Sequence, residues 1–108
     1  MYRFDKKAER FEWMGAAHAY EVPYAFNNVS ANDYLGDIDP KLALDMSTAW
    51  ANFARTGDPS IDKASWQTYD PQTRDTMIFG EDGSMTMEQD PWKEQRELTA
   101  FAYKYMPL

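Results

Sequence analysis

Gly15-Ala16-Ala17-His18-Ala19-Tyr20-Glu21-Val22-Pro23-Tyr24-Ala25-Phe26-Asn27-Asn28 is the stretch on which the reading of this chain turns. Gly15 to His18 form a tight, small-residue turn. Pro23 suits the start of a short helical turn over Tyr24–Phe26, because its missing N–H costs nothing there. Asn27 to Gly36 is rich in Asn, Ser and Gly and is expected to be loop. His18 is the single histidine of the 108 residues. Imidazole is the side chain best suited to exchange a proton near neutral pH. Taken by itself, a lone histidine is more often structural or merely exposed than catalytic.

Upstream, Tyr2–Phe4 reads as a short strand, followed by a charged connection through Lys6, Lys7, Glu9, Arg10 and Glu12. Downstream, the spacing predicts a helix over Pro40–Arg55. Asp39 offers an N-cap oxygen, and Pro40 fits the first helical position. Leu42, Met46, Ala49, Trp50 and Phe53 fall on one face, which points to core rather than a ligand pocket. Gly57 is a left-handed stop with Pro59 just beyond. Ser60 to Arg74 is a long connection. Thr76–Phe79 and Met85–Glu88 flank the turn Glu81-Asp82-Gly83-Ser84 and read as a hairpin. Asp90-Pro91 repeats the cap-plus-proline signal. It precedes a last helix with Leu98, Phe101, Ala102 and Tyr105 on one face.

Several of these stretches together resemble the type-B carboxylesterases, the family of the bacterial para-nitrobenzyl esterases and the cholinesterases. The pattern Gly15-x-x-His18-x-x-Glu21 followed by Pro23 and aromatics is similar to that family's histidine loop. Met46-Ser47-Thr48-Ala49-Trp50-Ala51-Asn52-Phe53-Ala54-Arg55-Thr56-Gly57-Asp58-Pro59 is similar to its next helix and Gly-Asp-Pro exit. Trp66-Gln67-Thr68-Tyr69-Asp70 and Thr76-Met77-Ile78-Phe79-Gly80 are similar to the segment and strand after that. Tyr2-Arg3-Phe4-Asp5 resembles the strand before the loop.

The resemblance implies an α/β fold, as the C-terminal part of an α/β-hydrolase built of short strands, a hairpin and two main helices. In isolation the same elements form a small α+β unit, with residues 1–108 as one unit. It implies that His18 is the general base of a Ser–acid–His triad. Glu21 then supports the site as a second acidic residue; otherwise it is a solvated or helix-N-terminal charge. In that family the serine and the triad acid precede the histidine. Here only 17 residues precede His18, no G-x-S-x-G elbow occurs among them, and the first serine is Ser30. The expectation is a piece of a serine carboxylic-ester hydrolase that is inactive alone. Its partners would be the remaining N-terminal part of the hydrolase, or further copies of itself, and the whole enzyme would take an ester substrate. The competing reading is a non-catalytic interaction module derived from the same fold.

Composition narrows the field further. A net charge of −7 provides no basic face for nucleic acid or for an anionic membrane surface. An aromatic share of 16% argues against disorder. With no cysteine there is neither a disulfide framework nor a thiolate zinc site. Together with the lack of an apolar leader this fits a cytoplasmic location. Asp37, Asp39, Asp82, Glu88 and Asp90 do not follow calcium-loop spacing, so no metal and no cofactor are expected. Ser30, Ser47, Ser60, Ser65 and Ser84 lack a nucleophile context, which argues against an internal triad.

Overall fold

The computed structural model describes residues 1–30 and 35–106. Three strands, β1 (Tyr2–Phe4), β2 (Asp75–Phe79) and β3 (Met85–Gln89), form one sheet in the order β1-β2-β3. β1 and β2 are parallel, with Tyr2 beside Met77 and Phe4 beside Phe79. β2 and β3 make the expected antiparallel hairpin, Phe79 opposite Met85 and Met77 opposite Met87. Because side chains alternate across a strand, Tyr2, Phe4, Met77, Phe79, Met85 and Met87 share one face. Arg3, Thr76 and Ile78 take the other.

The apolar face is covered by the 17-residue helix Pro40–Thr56. Preceded by the short α1 (Val22–Ala25), it is termed α2. Its start is set as the sequence indicates: Asp39 Oδ1 accepts from the backbone N–H of Lys41 at 3.0 Å and Leu42 at 3.1 Å. Gly57, at φ 81° and ψ −1°, stops it and donates its N–H to the Phe53 carbonyl at 2.8 Å. Leu42, Ala43 and Met46 are fully buried in one cluster with Met77 and Phe79, and Ala49 is fully buried as well. Each large side chain so buried contributes roughly 1.5–3 kcal/mol. Trp50, Trp66, Tyr2 and Phe79 extend this core as an aromatic cluster with ring centroids 5.0–6.1 Å apart.

Some expectations are corrected. Phe53 is 60% exposed rather than core, although it lies on the same face of α2 as Leu42 and Met46. With Met1, Tyr2, Trp50, Pro59 and Trp66 it lines an open groove of about 310 Å³. The charged connection is in part a 3-10 segment, Glu9–Met14, broken at Phe11 (φ −135°, ψ 44°). Asp90 does not cap the last helix, α3 (Lys93–Tyr105); Trp92 occupies that position without a side-chain bond. Asp90 sits at φ 45°, and its carboxylate accepts from Arg96 Nε at 3.1 Å and Nη2 at 2.5 Å. A charged fork outcompetes the neutral backbone amides. α3 has its predicted apolar face, but no residue of the helix is buried. Of the predicted loop Asn27–Gly36, residues 31–34 lie outside the described residues.

Candidate active site

The histidine loop is held at its root and open at its tip. Gly15 enters it at φ 65° and ψ −152°, a conformation that only glycine adopts readily. Its N–H donates to the Glu12 carbonyl at 3.1 Å. Two tight turns follow, Tyr20 N–H to Ala17 O at 3.3 Å and Val22 N–H to Ala19 O at 3.2 Å, with Ala19 at φ 68°. They lead directly into α1.

Two tyrosines fix this path. Tyr20 is 5% exposed, and its hydroxyl donates to Met14 Sδ at 3.4 Å. Tyr24 is 3% exposed; its ring lies 5.1 Å from Phe4, and its oxygen accepts from the Asp39 N–H at 3.5 Å. Burial pushes the Tyr24 phenol above its ordinary range, which keeps it neutral and able to hydrogen-bond. One side chain thus ties the histidine loop to β1 and to the capping residue of α2. The sequence places Tyr24 in a short helical turn, but no anchoring role is read there for either tyrosine. Their signal was present in the sequence: two aromatics four residues apart, the spacing of one helix face, directly after the histidine.

His18 itself is exposed. Among the described residues no serine hydroxyl and no carboxylate hydrogen-bonds it. Ser47 Oγ donates to the Leu44 carbonyl, Ser60 Oγ accepts from the Trp66 N–H, and Ser84 is bound into a turn with Asp82. These serines serve local structure. Glu21 is half-buried at the entry to α1 but makes no side-chain cap bond, and its carbonyl accepts from Ala25 at 2.9 Å. Its carboxylate acts on β1 instead. Burial raises the Tyr2 phenol, and the negative charge of Glu21 raises it further. His18 and Glu21 therefore share one short loop but are not hydrogen-bonded to each other in this structure.

Among the described residues, no group of three or more His, Asp or Glu side chains is placed to hold a metal ion. Asp39 caps α2, Asp82 closes the hairpin turn, and Asp90 pairs with Arg96. Nor is any described helix long and apolar enough to cross a membrane.

The loop, the helix after it and the hairpin are found together in known proteins. A model of the "Carboxylesterase family" matches residues 1–99. The para-nitrobenzyl esterase of Bacillus subtilis (strain 168) is 35% identical over 102 residues, covering 90% of this chain and 20% of that protein. The acetylcholinesterase of Bungarus fasciatus is 38% identical over 76 residues, covering 63% of this chain and 12% of that protein. In three dimensions a solved para-nitrobenzyl esterase superposes with a TM-score of 0.77 at 33% identity, over 100% of this chain and 22% of that one. A carboxylesterase of Geobacillus stearothermophilus follows with a TM-score of 0.72 at 29% identity, covering 90% of this chain and 21% of that one. The chain spans about a fifth of the length of these bacterial relatives. Its small mixed sheet and packed helices are a fragment of the α/β-hydrolase fold. On the match of residues 1–99 and this shared architecture, the chain belongs to the carboxylesterase family.

Proposed function

We propose that these residues contribute the general base of a carboxylic-ester hydrolase, with His18 in that role. The observation that carries the reading is the combination of the family match with a histidine presented on an anchored loop. Tyr20 and Tyr24 are buried below it, while the imidazole is left accessible. A serine hydroxyl brought to His18 would lose its proton to the imidazole as it attacks the ester carbonyl. The imidazole would return that proton to the departing alcohol, and water would release the acid by the same route. The nucleophile, the triad acid and the oxyanion hole come from outside these residues in this reading. Glu21, with no hydrogen bond to the imidazole, acts through the local field rather than as the triad acid.

The test is hydrolysis of a short-chain para-nitrophenyl ester. The 108-residue chain alone should show no turnover above background. Mixed with the part of the Bacillus subtilis esterase that lies outside the matched stretch, it should recover activity. His18→Ala should then lower that activity by about 10³-fold or more. Turnover by the chain alone that survives His18→Ala would refute the assignment. A stable complex without turnover would favour the interaction-module reading, which the unburied apolar face of α3 supports.

A further inference from the structure

Beside the face of the sheet that carries Arg3 and Thr76 lies an open cavity of about 310 Å³. Arg3, Arg74 and Arg96 all line it, a local gathering of positive charge in a chain whose net charge is −7. Two of the three guanidinium groups are answered by carboxylates. Arg3 donates from Nε and Nη2 to Asp5 at 2.7 and 2.6 Å, and Arg96 forks onto Asp90. Arg74 differs. Its Nη1 donates to the Tyr69 hydroxyl oxygen at 3.2 Å, and its Nε stands 3.9 Å from the Asp90 oxygen that Arg96 already holds. Among the described residues no carboxylate hydrogen-bonds Arg74. Its backbone is left-handed at φ 55°, and it is fixed from three directions. The Arg74 N–H donates to the Asp70 carbonyl at 2.6 Å, while the Arg74 carbonyl accepts from the Asp90 N–H at 3.2 Å and the Thr76 hydroxyl at 2.9 Å. Asp90 facing it is left-handed as well, at φ 45°. Such strain persists where surrounding bonds impose it, and it gathers at ligand clamps. Pro91 and Trp92 add an apolar wall, with Trp92 58% exposed.

We infer that this cavity binds a small aromatic carboxylate, with the anion on Arg74 and Tyr69 and the ring against Trp92. A guanidinium presents paired N–H groups that match the two oxygens of a carboxylate. Among the described residues nothing accepts from Arg74 Nη2. The Tyr69 hydroxyl accepts from Nη1 and so keeps its own proton to donate to the same anion. Asp90 opposes an incoming anion only weakly, because the Arg96 fork balances its charge. Arg3, 5.1 Å from the Trp92 ring, adds positive charge beside that wall. A flat ring stacks on the indole, whereas an anion without one leaves the wall in water. The volume is at the low end for small-molecule sites and suits one ring with its carboxylate. The inference does not rest on the role proposed for His18, whose loop leaves the other end of β1.

Titration of the whole chain with benzoate, followed through the indole N–H signals in nitrogen-edited NMR spectra, tests it. The Trp92 signal should shift with a dissociation constant on the order of 1 mM. The Trp66 signal, from a ring packed among Trp50 and Phe79, should stay in place. Benzamide keeps the shape without the charge, acetate keeps the charge without the ring, and each should bind about tenfold more weakly or worse. Arg74→Asn tolerates the positive φ and removes the guanidinium, so it should weaken benzoate by about tenfold or more. Tyr69→Phe removes one hydrogen bond and should weaken it roughly threefold. Where Arg74→Asn disturbs the fold, as far-UV circular dichroism would report, Tyr69→Phe decides. The inference is overturned by a Trp92 signal that stays still up to about 20 mM benzoate. A shift of Trp66 alone, equal binding of benzamide, or an affinity that the deciding variant leaves unchanged overturns it too.

Discussion

Replacing Gly15 with alanine isolates what the entry to the histidine loop requires. At φ 65° and ψ −152° the backbone is outside every region comfortable for an L-residue, yet an added Cβ would meet no atom within 4 Å. The cost is therefore conformational and not a clash. Strain of this kind amounts to about 1–3 kcal/mol. Taking about 2 kcal/mol, the melting midpoint of a domain this size should fall by roughly 8–16 °C. Two companion variants make the cause specific. Asparagine tolerates the left-handed helical region but not this one, so Gly15→Asn should be as damaging as Gly15→Ala. At Gly57, whose φ of 81° and ψ of −1° do lie in that region, asparagine should recover part of an alanine cost of about 1 kcal/mol. D-Alanine at position 15 should be tolerated, because these angles are the mirror image of ordinary extended polyproline backbone. Urea unfolding followed by tryptophan fluorescence measures all of these. A Gly15→Ala protein within about 0.5 kcal/mol of the parent, or an asparagine variant indistinguishable from it, would show that the loop does not need this turn.

Other consequences follow from the same contacts. Asp39→Ala removes the acceptor of two helix-end N–H groups and should cost about 1 kcal/mol by the same urea assay. Met46→Ala, at a fully buried site between α2 and β2, should cost about 2–5 kcal/mol, the most of any variant named here. The Asp90 carboxyl is held below its ordinary range by the Arg96 hydrogen bonds, with the Arg96 and Arg74 charges adding to the effect. Its stabilising contribution is thus present above about pH 3.9, the unfolded carboxyl value, and is lost as pH falls through the lower folded value. Asp90→Asn, which keeps tolerance of the positive φ, should be less stable than the parent at pH 7, and the difference should close in acid. A stability gap that persisted at pH 2 would assign Asp90 a packing role instead.

What could be read from the sequence follows the range of each interaction. Helix α2 was legible almost to the residue because Asp39, Pro40 and Gly57 act on their immediate neighbours. The hairpin was legible because its register is set by a four-residue turn. The pairing of β1 with β2 was not, since 70 residues lie between Phe4 and Asp75 and nothing local encodes parallel alignment. Asp90 misled for a related reason. As part of Asp-Pro it has the form of a cap, and only the placement of Arg96 shows where its carboxylate goes. Periodicity identified the stripes of α2 and α3 equally well, yet one is core and the other is bare. A stripe records which residues prefer to leave water. Whether something covers them depends on elements far away in the chain, or outside it.

The candidate site divides along the same line. Its scaffold is local: Gly15 sets the entry, and Tyr20 and Tyr24 pin the loop through contacts to Met14, Phe4 and Asp39. Its chemistry is not. Among the described residues the exposed imidazole hydrogen-bonds neither a carboxylate nor a hydroxyl, so the loop presents a histidine without the partners of a triad. Catalytic power in such a triad comes from the orientation and charge that partners impose. The family match supplies a reason to expect those partners, while the anchoring tyrosines supply the physical requirement that would make their arrival productive. A loop that had to be ordered during docking would spend part of the docking energy on that ordering. In the role proposed for His18 the anchored loop would spare that cost, and a partner surface would have only to meet the imidazole where it stands. Tyr24→Phe offers a way to see this, because it keeps the ring against Phe4 and removes only the oxygen that accepts from Asp39. If pre-ordering matters, the variant should need more of the complementing esterase part for half-maximal activity and retain the same activity at saturation. Loss at saturation with unchanged affinity would instead place Tyr24 in the chemical step.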